Sequence, residues 1–98
     1  MARRVVWADS AWQELECAAS FIARDSRRYA AALIEQARDA ARSLRKFPMR
    51  GRVVPEVGLE NIRELLIGNY RMIYDLQDNQ TVVIAFIHGA RRLPPNLS

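Results

Sequence analysis

Ile62-Arg63-Glu64-Leu65-Leu66-Ile67-Gly68-Asn69-Tyr70-Arg71-Met72-Ile73-Tyr74-Asp75-Leu76 is the stretch on which the fold turns. Two runs rich in aliphatic and aromatic residues flank Gly68-Asn69, a pair suited to a tight loop. The stretch therefore reads as a β-hairpin, with strands over Ile62–Ile67 and Tyr70–Leu76. Downstream, Asp78-Asn79 marks another turn and Thr81–Ile87 a third strand. Its run Val82-Val83-Ile84-Ala85-Phe86-Ile87 is apolar without alternation, the pattern of a central strand covered on both faces.

Upstream of the hairpin the period is helical. Val5-Val6-Trp7 suits a short strand. Asp9 or Ser10 can then cap a helix, and Ser10 with Gln13 three residues on fits a capping box. Ala11, Leu15, Ala18, Ala19 and Ile22 recur at helical spacing over about four turns. Asp25-Ser26 offers N-caps for a second helix. In it Ala30, Leu33, Ile34, Ala37, Ala40, Ala41 and Leu44 form one apolar stripe. Both stripes are rich in alanine, so the helices can pack closely as an αα-hairpin. Phe47-Pro48 ends the helical pattern, and Met49–Glu56 reads as a loop with a short extended piece. The predicted architecture is α+β in a single domain spanning residues 1–98. It consists of an N-terminal strand, the αα-hairpin, then an antiparallel β-meander with the helices on one face of the sheet. The tail Leu93-Pro94-Pro95-Asn96-Leu97-Ser98 cannot extend a helix, so tertiary contacts or a partner would have to order it.

Fifteen basic residues, all arginine except Lys46, face 11 acidic ones, for a net charge of +4. The excess admits nucleic acid, an acidic protein or a ribosomal surface as partner, and it says nothing of the fold. It is not concentrated in one tail: residues 1–49 carry 9 basic and 6 acidic groups, residues 50–98 carry 6 and 5. Cys17 is the single cysteine and His88 the single histidine, which excludes an intrachain disulfide and a Cys/His zinc site. Cys17 falls in an apolar helical stretch, where a buried, inert thiol is expected. There is no signal-peptide core and no run of apolar residues long enough to span a membrane, so the expected location is cytoplasmic. No nucleotide-, metal- or cofactor-binding signature occurs, and no cofactor is expected.

The candidate functional side chains lie in the sheet half: Arg63, Arg71, Tyr74, His88, Arg91 and Arg92. An arginine in an apolar strand either pairs with a nearby carboxylate, such as Glu64 or Asp75, or offers its guanidinium to a phosphate or a partner's carboxylate. His88, at the end of the last strand, either hydrogen-bonds the turn backbone or serves as a general base.

Several segments together resemble the RelE/ParE toxin superfamily of bacterial type II toxin–antitoxin systems, also called plasmid stabilization proteins. They are Val6-Trp7 before the first helix, the Phe21-Ile22-Ala23-Arg24-Asp25-Ser26 junction, Phe47-Pro48 and Gly51-Arg52-Val53-Val54-Pro55-Glu56. Ile62-Arg63-Glu64-Leu65, Tyr70-Arg71-Met72-Ile73-Tyr74 and His88-Gly89-Ala90-Arg91 follow in the same order. The resemblance covers about residues 4 to 93 and implies the same βαα–βββ order read above.

The resemblance implies one of two activities. RelE-type members cut mRNA on the ribosome, using basic side chains around the scissile phosphate, whereas ParE-type members poison DNA gyrase. RelE-like enzymes place lysines seven and nine positions before the arginine that matches Arg71, and here those positions hold Glu64 and Ile62. A carboxylate there repels phosphate and isoleucine adds no charge. The base-stacking tyrosine near the C-terminus is also missing. These departures favour a ParE-like gyrase inhibitor, non-enzymatic and neutralised by a cognate antitoxin with an acidic, amphipathic wrapping segment. The expected partner-binding residues are Arg63, Arg71, Tyr74, His88, Arg91 and Arg92. The alternative is a ribosome-dependent mRNA endoribonuclease using Arg63, Arg71, His88 and Arg91. A third possibility is a toxin remnant that only binds its antitoxin.

Overall fold

The computed structural model describes residues 3–91. Strand β1 (Arg4–Trp7) leads into helices α1 (Asp9–Ala23) and α2 (Arg27–Ser43). The strands β2 (Arg52–Val53), β3 (Ile62–Ile67), β4 (Tyr70–Leu76) and β5 (Gln80–His88) follow. They form one five-stranded sheet in the order β1-β5-β4-β3-β2. The meander β2-β3-β4-β5 is antiparallel, and β1 joins it parallel to β5, making the sheet mixed. A parallel partner requires a crossover, which the helical hairpin supplies.

The tight turn between β3 and β4 is as predicted. Gly68 takes a φ of 58°, the left-handed value that the first position of such a loop demands. In β5 the unalternating apolar run has a specific cause. Ile73 pairs with Ala85 but Tyr74 pairs with Val83, so one extra residue, Ile84, is inserted on β5. Such a bulge breaks the two-residue alternation. Val83 and Phe86, three apart, therefore both enter the core beneath the helices, while Ala85 and Ile87 enter a cluster with Val54, Ile62 and Ile73. Both faces of β5 are buried, as its composition implied. β1 ends opposite Val83, and beyond it the backbone N–H of Phe86 donates instead to the Glu14 carboxylate on α1 (3.0 Å).

The main core is built from Ala11 and Leu15 of α1, Leu33, Ala37 and Ala41 of α2, Leu44, and Met72, Tyr74, Val83 and Phe86 of the sheet. Small residues on the facing helical stripes allow the close packing that the alanine content suggested.

Two local expectations need correction. Helix α1 is not capped by Asp9 or Ser10, and the Ser10–Gln13 capping box is not formed: the N-cap is Ala8, with no side-chain cap. The reason is the short passage from strand to helix. Ala8 N–H is held by Val83 O (2.9 Å) while Ala8 O already accepts from Trp12 N (3.0 Å). Asp9 is thereby drawn into the first turn, where its charge complements the helix dipole. Cys17 is exposed rather than buried. The buried positions of α1 are Ala11, Leu15 and Ala19, and a residue two places from Leu15 lies on the opposite side of the helix. The second cap is as expected, with Ser26 Oγ accepting from Tyr29 N (3.2 Å). The proline-containing tail lies outside the described residues.

Candidate functional site

The register of the meander assembles a row of alternating charge across one face of the sheet. Arg52 on β2 stands directly opposite Glu64 on β3. On β4, Arg71 stands opposite Leu66, which sets it diagonally across from Glu64. Each oxygen of the Glu64 carboxylate is thus taken by one arginine: Arg52 Nε donates to Oε2 and Arg71 Nε to Oε1, both at 2.6 Å. The far side of the Arg71 guanidinium forms a bidentate pair with Glu56, at 2.7 and 2.8 Å. Fork-to-fork pairing of this kind combines charge with fixed geometry. Nη1 of Arg71 also donates to the carbonyl of Arg91 (3.2 Å), tying the end of the chain after β5 into the row.

This row is largely withdrawn from water. Glu64 is 1% exposed and Arg71 5%. The hydrogen bonds to Glu56, opposed by burial and helped by those to Glu64, push the Arg71 pKa up, so the paired carboxylates favour its charged form. The row borders a hollow of about 660 Å³ at the end of the sheet where β4 begins and β5 ends, with Arg52, Glu56, Tyr70, Arg71 and His88 among its lining. His88 is exposed; it stands edge-on to Tyr70, ring centroids 5.5 Å apart, and its Nδ1 accepts from the backbone N–H of Ala90 (3.2 Å).

The predicted residues separate into two groups. Arg71 and His88 line this hollow, and Arg91 joins them only through its carbonyl, which accepts from Arg71. Arg63 and Tyr74, paired across β3 and β4, instead hold the connection between α2 and β2. Arg63 donates to the carbonyls of Gly51 (2.9 Å), Met49 (3.4 Å) and Glu60 (2.9 Å) and to the Glu60 carboxylate (2.9 Å). Tyr74, fully buried, donates its hydroxyl proton to Pro48 O (2.8 Å) and accepts from Gly51 N (3.0 Å). Burial raises the Tyr74 pKa, and the Gly51 N–H opposes that rise. A Cβ on Gly51 would lie 2.6 Å from both Glu64 O and Tyr74 Oη, so only glycine fits there. Arg92 lies outside the described residues.

Glu56 and Arg52 belong to the site although sequence reasoning did not select them. In the sequence Glu56 is the end of a loop segment that carries the family resemblance; its role depends on where residues 54–57 fold back. Of the two positions compared above, Glu64 is paired to two arginines and Ile62 is fully buried in an apolar cluster. Among the described residues no three His, Cys, Asp or Glu side chains converge to hold a metal ion, and no helix is long and apolar enough to cross a membrane.

Comparison with known proteins bears on the fold and the family. Among curated protein sequences no significant relative is found. Among solved structures the chain is similar to the chromosomal ParDE toxin–antitoxin system from P. aeruginosa. The TM-score is 0.71 at 10% identity, with 89% of this chain and 96% of that chain covered. At that identity the likeness speaks for the fold alone. A family model described as "ParE toxin of type II toxin-antitoxin system, parDE" matches residues 5–93, from the first strand to beyond the last. The chain belongs to the ParE toxin family of type II toxin–antitoxin systems.

Proposed function

We propose that this toxin acts on DNA gyrase in the cytoplasm and is held inactive by a co-encoded antitoxin. The observation that carries the choice of target is the state of Arg71. Its guanidinium is divided between Glu56 and Glu64, so the wall of the hollow is close to charge-balanced. Cleavage of mRNA requires positive charge left free to stabilise a scissile phosphate. A surface of paired arginines around an exposed histidine suits recognition of a protein better than phosphoryl chemistry. His88 and Arg91 are assigned to contact with a partner, as is Arg92 by its place in the sequence after Arg91; Arg71 holds the wall of the hollow, and Arg63 and Tyr74 hold the Gly51 loop that leads into β2.

The antitoxin is expected to be acidic and amphipathic where it wraps the toxin, complementing the charge of +4. Membership of a toxin–antitoxin family supports an antitoxin as partner. A supercoiling assay with purified chain and purified gyrase tests the target. Inhibition that is relieved by the product of the adjoining reading frame is the expected result. Unaffected supercoiling at large molar excess sinks the proposal. Cutting of mRNA in the ribosomal A site would point to the endoribonuclease alternative, and normal growth under induced expression without antitoxin to a toxin remnant.

A further inference from the structure

We infer that the loop after α2, with Phe47 and Met49 at its tip inside a rim of basic side chains, is a knob that docks into an apolar, acid-rimmed pocket of the toxin's target protein. This rests on the reading above that the target is a protein, gyrase, and it names a surface for that contact.

The loop is built to hold its shape. After α2, the backbone N–H groups of Lys46 and Phe47 both donate to Ser43 O (3.2 and 3.0 Å), so the chain winds on past the helix. Arg50 N then donates to Phe47 O (3.2 Å) around Pro48, whose fixed φ suits the second position of such a turn. The Arg50 side chain folds back onto Ser43 Oγ (2.7 Å) and ties the loop to the end of the helix. From below, buried Tyr74 holds Pro48 O, and buried Arg63 holds Met49 O and Gly51 O. Two buried polar side chains thus fix one short connection.

The fold itself gains nothing from what this loop presents. Phe47 is 64% exposed and Met49 60%, and with Pro48 they border a shallow apolar hollow of about 740 Å³. Apolar area stabilises a fold only when it leaves water. Around this tip the charge is of one sign: between Asp39 and Glu56 the chain has five basic residues and no acidic one. Arg42 pairs with Asp39 and Arg52 with Glu64. Among the described residues, the exposed Arg45, Lys46 and Arg50 have no carboxylate partner. Cations at a helix C-terminus have a local use against its dipole, but that use does not account for the apolar tip they surround.

An aromatic ring and a thioether encircled by cations form the layout of a protein contact, apolar at its centre and charged at its rim. The rim selects carboxylates opposite it and disfavours a second copy of this chain. The anchoring favours a protein over a lipid surface. A bilayer takes up amphipathic side chains without fixed geometry, whereas a preformed pocket gains from a knob that needs no ordering. Stacking of a nucleic-acid base would use Phe47 and leave Met49 idle.

Binding of the full chain to purified gyrase without DNA, followed by surface plasmon resonance alongside supercoiling inhibition, tests this. Phe47→Ser with Met49→Ser should weaken binding about tenfold or more. Arg45→Glu with Lys46→Glu should slow association about fivefold or more and flatten its dependence on salt. All four side chains are exposed, so both variants should melt within roughly 3 °C of the parent chain. The charge variant keeps the test decisive if the apolar one fails to fold. Binding and inhibition undiminished in either folded variant overturn the inference and leave the target reading standing. A parent chain that neither binds nor inhibits gyrase overturns the target reading, and the inference with it. Loss of antitoxin binding with gyrase binding intact assigns the knob to the neutralising partner and overturns the inference too. So does tighter binding to phosphatidylglycerol vesicles or to a single-stranded oligonucleotide that the same substitutions abolish.

Discussion

Replacing Glu64 by glutamine tests whether the charge row is one coupled unit. The side chain is fully buried and spends each carboxylate oxygen on one arginine. Glutamine keeps the shape and removes the charge, and its amide turns a second donor toward an arginine that is itself a donor. Breaking a buried pair by removing one partner costs about 3–5 kcal/mol. Two features of the structure reduce that figure. Arg71 keeps its bidentate pair with Glu56, and the Arg52 side chain is 62% exposed and can be hydrated. We therefore expect a loss of about 2–3 kcal/mol. In a domain of this size that lowers the melting temperature by roughly 10–20 °C. Urea denaturation at neutral pH measures it directly. The companion experiment is the double substitution Glu64→Leu with Arg71→Met, which removes both buried charges. If the network is coupled, the double variant is more stable than the sum of its single variants predicts, because neither charge is left stranded. A Glu64→Gln loss below about 0.5 kcal/mol, the level of an ordinary surface change, would refute the coupling. So would strict additivity of the Glu64→Leu and Arg71→Met effects.

Three further outcomes follow from the geometry. Tyr74→Phe leaves Gly51 N–H and Pro48 O without their shared hydroxyl and should cost about 1–3 kcal/mol by denaturant titration. The same residue sets an alkaline limit. Because its folded pKa is raised, the native state holds the phenolic proton after the unfolded chain has released it. Stability is therefore full below the unfolded value of about 10 and falls as pH rises from there through the folded value. Tyr74→Phe should flatten that decline, and an unchanged alkaline profile counts against the assignment. Gly51→Ala should destabilise by at least about 1–3 kcal/mol, since one atom it meets is the Glu64 backbone carbonyl, which cannot swing away. Cys17 should react with a maleimide in the folded chain at close to the rate of a free thiol; labelling that requires denaturant would contradict its exposed position.

The order and kind of the elements were legible in the chain because they depend on neighbours within a few residues. Gly68-Asn69 specifies a tight turn, Ser26 a cap, and Phe47-Pro48 the end of helical pairing. The failures were local too, and each had a tertiary cause. Ala8 took the cap position because β5 holds its N–H, and Cys17 faces outward because α1 needed only a narrow stripe against the sheet. The site was half legible. Arg71 stood out as a cation in an apolar strand and His88 as the only histidine, whereas Arg52 and Glu56 entered only as parts of a segment that carries the family resemblance, with no role of their own.

By itself the sequence determined an α+β chain of strand, helical hairpin and meander, with unusual arginines in its sheet half. The tertiary structure alone decided what those arginines do. Strand register set Arg71 diagonally across from Glu64, a loop brought in Glu56, and Arg63 and Tyr74 turned inward to hold Gly51. Helices and turns follow from interactions over a few residues along the chain. Which charge meets which is set by pairing between strands distant in sequence, where a shift of one residue sends a side chain to the other face.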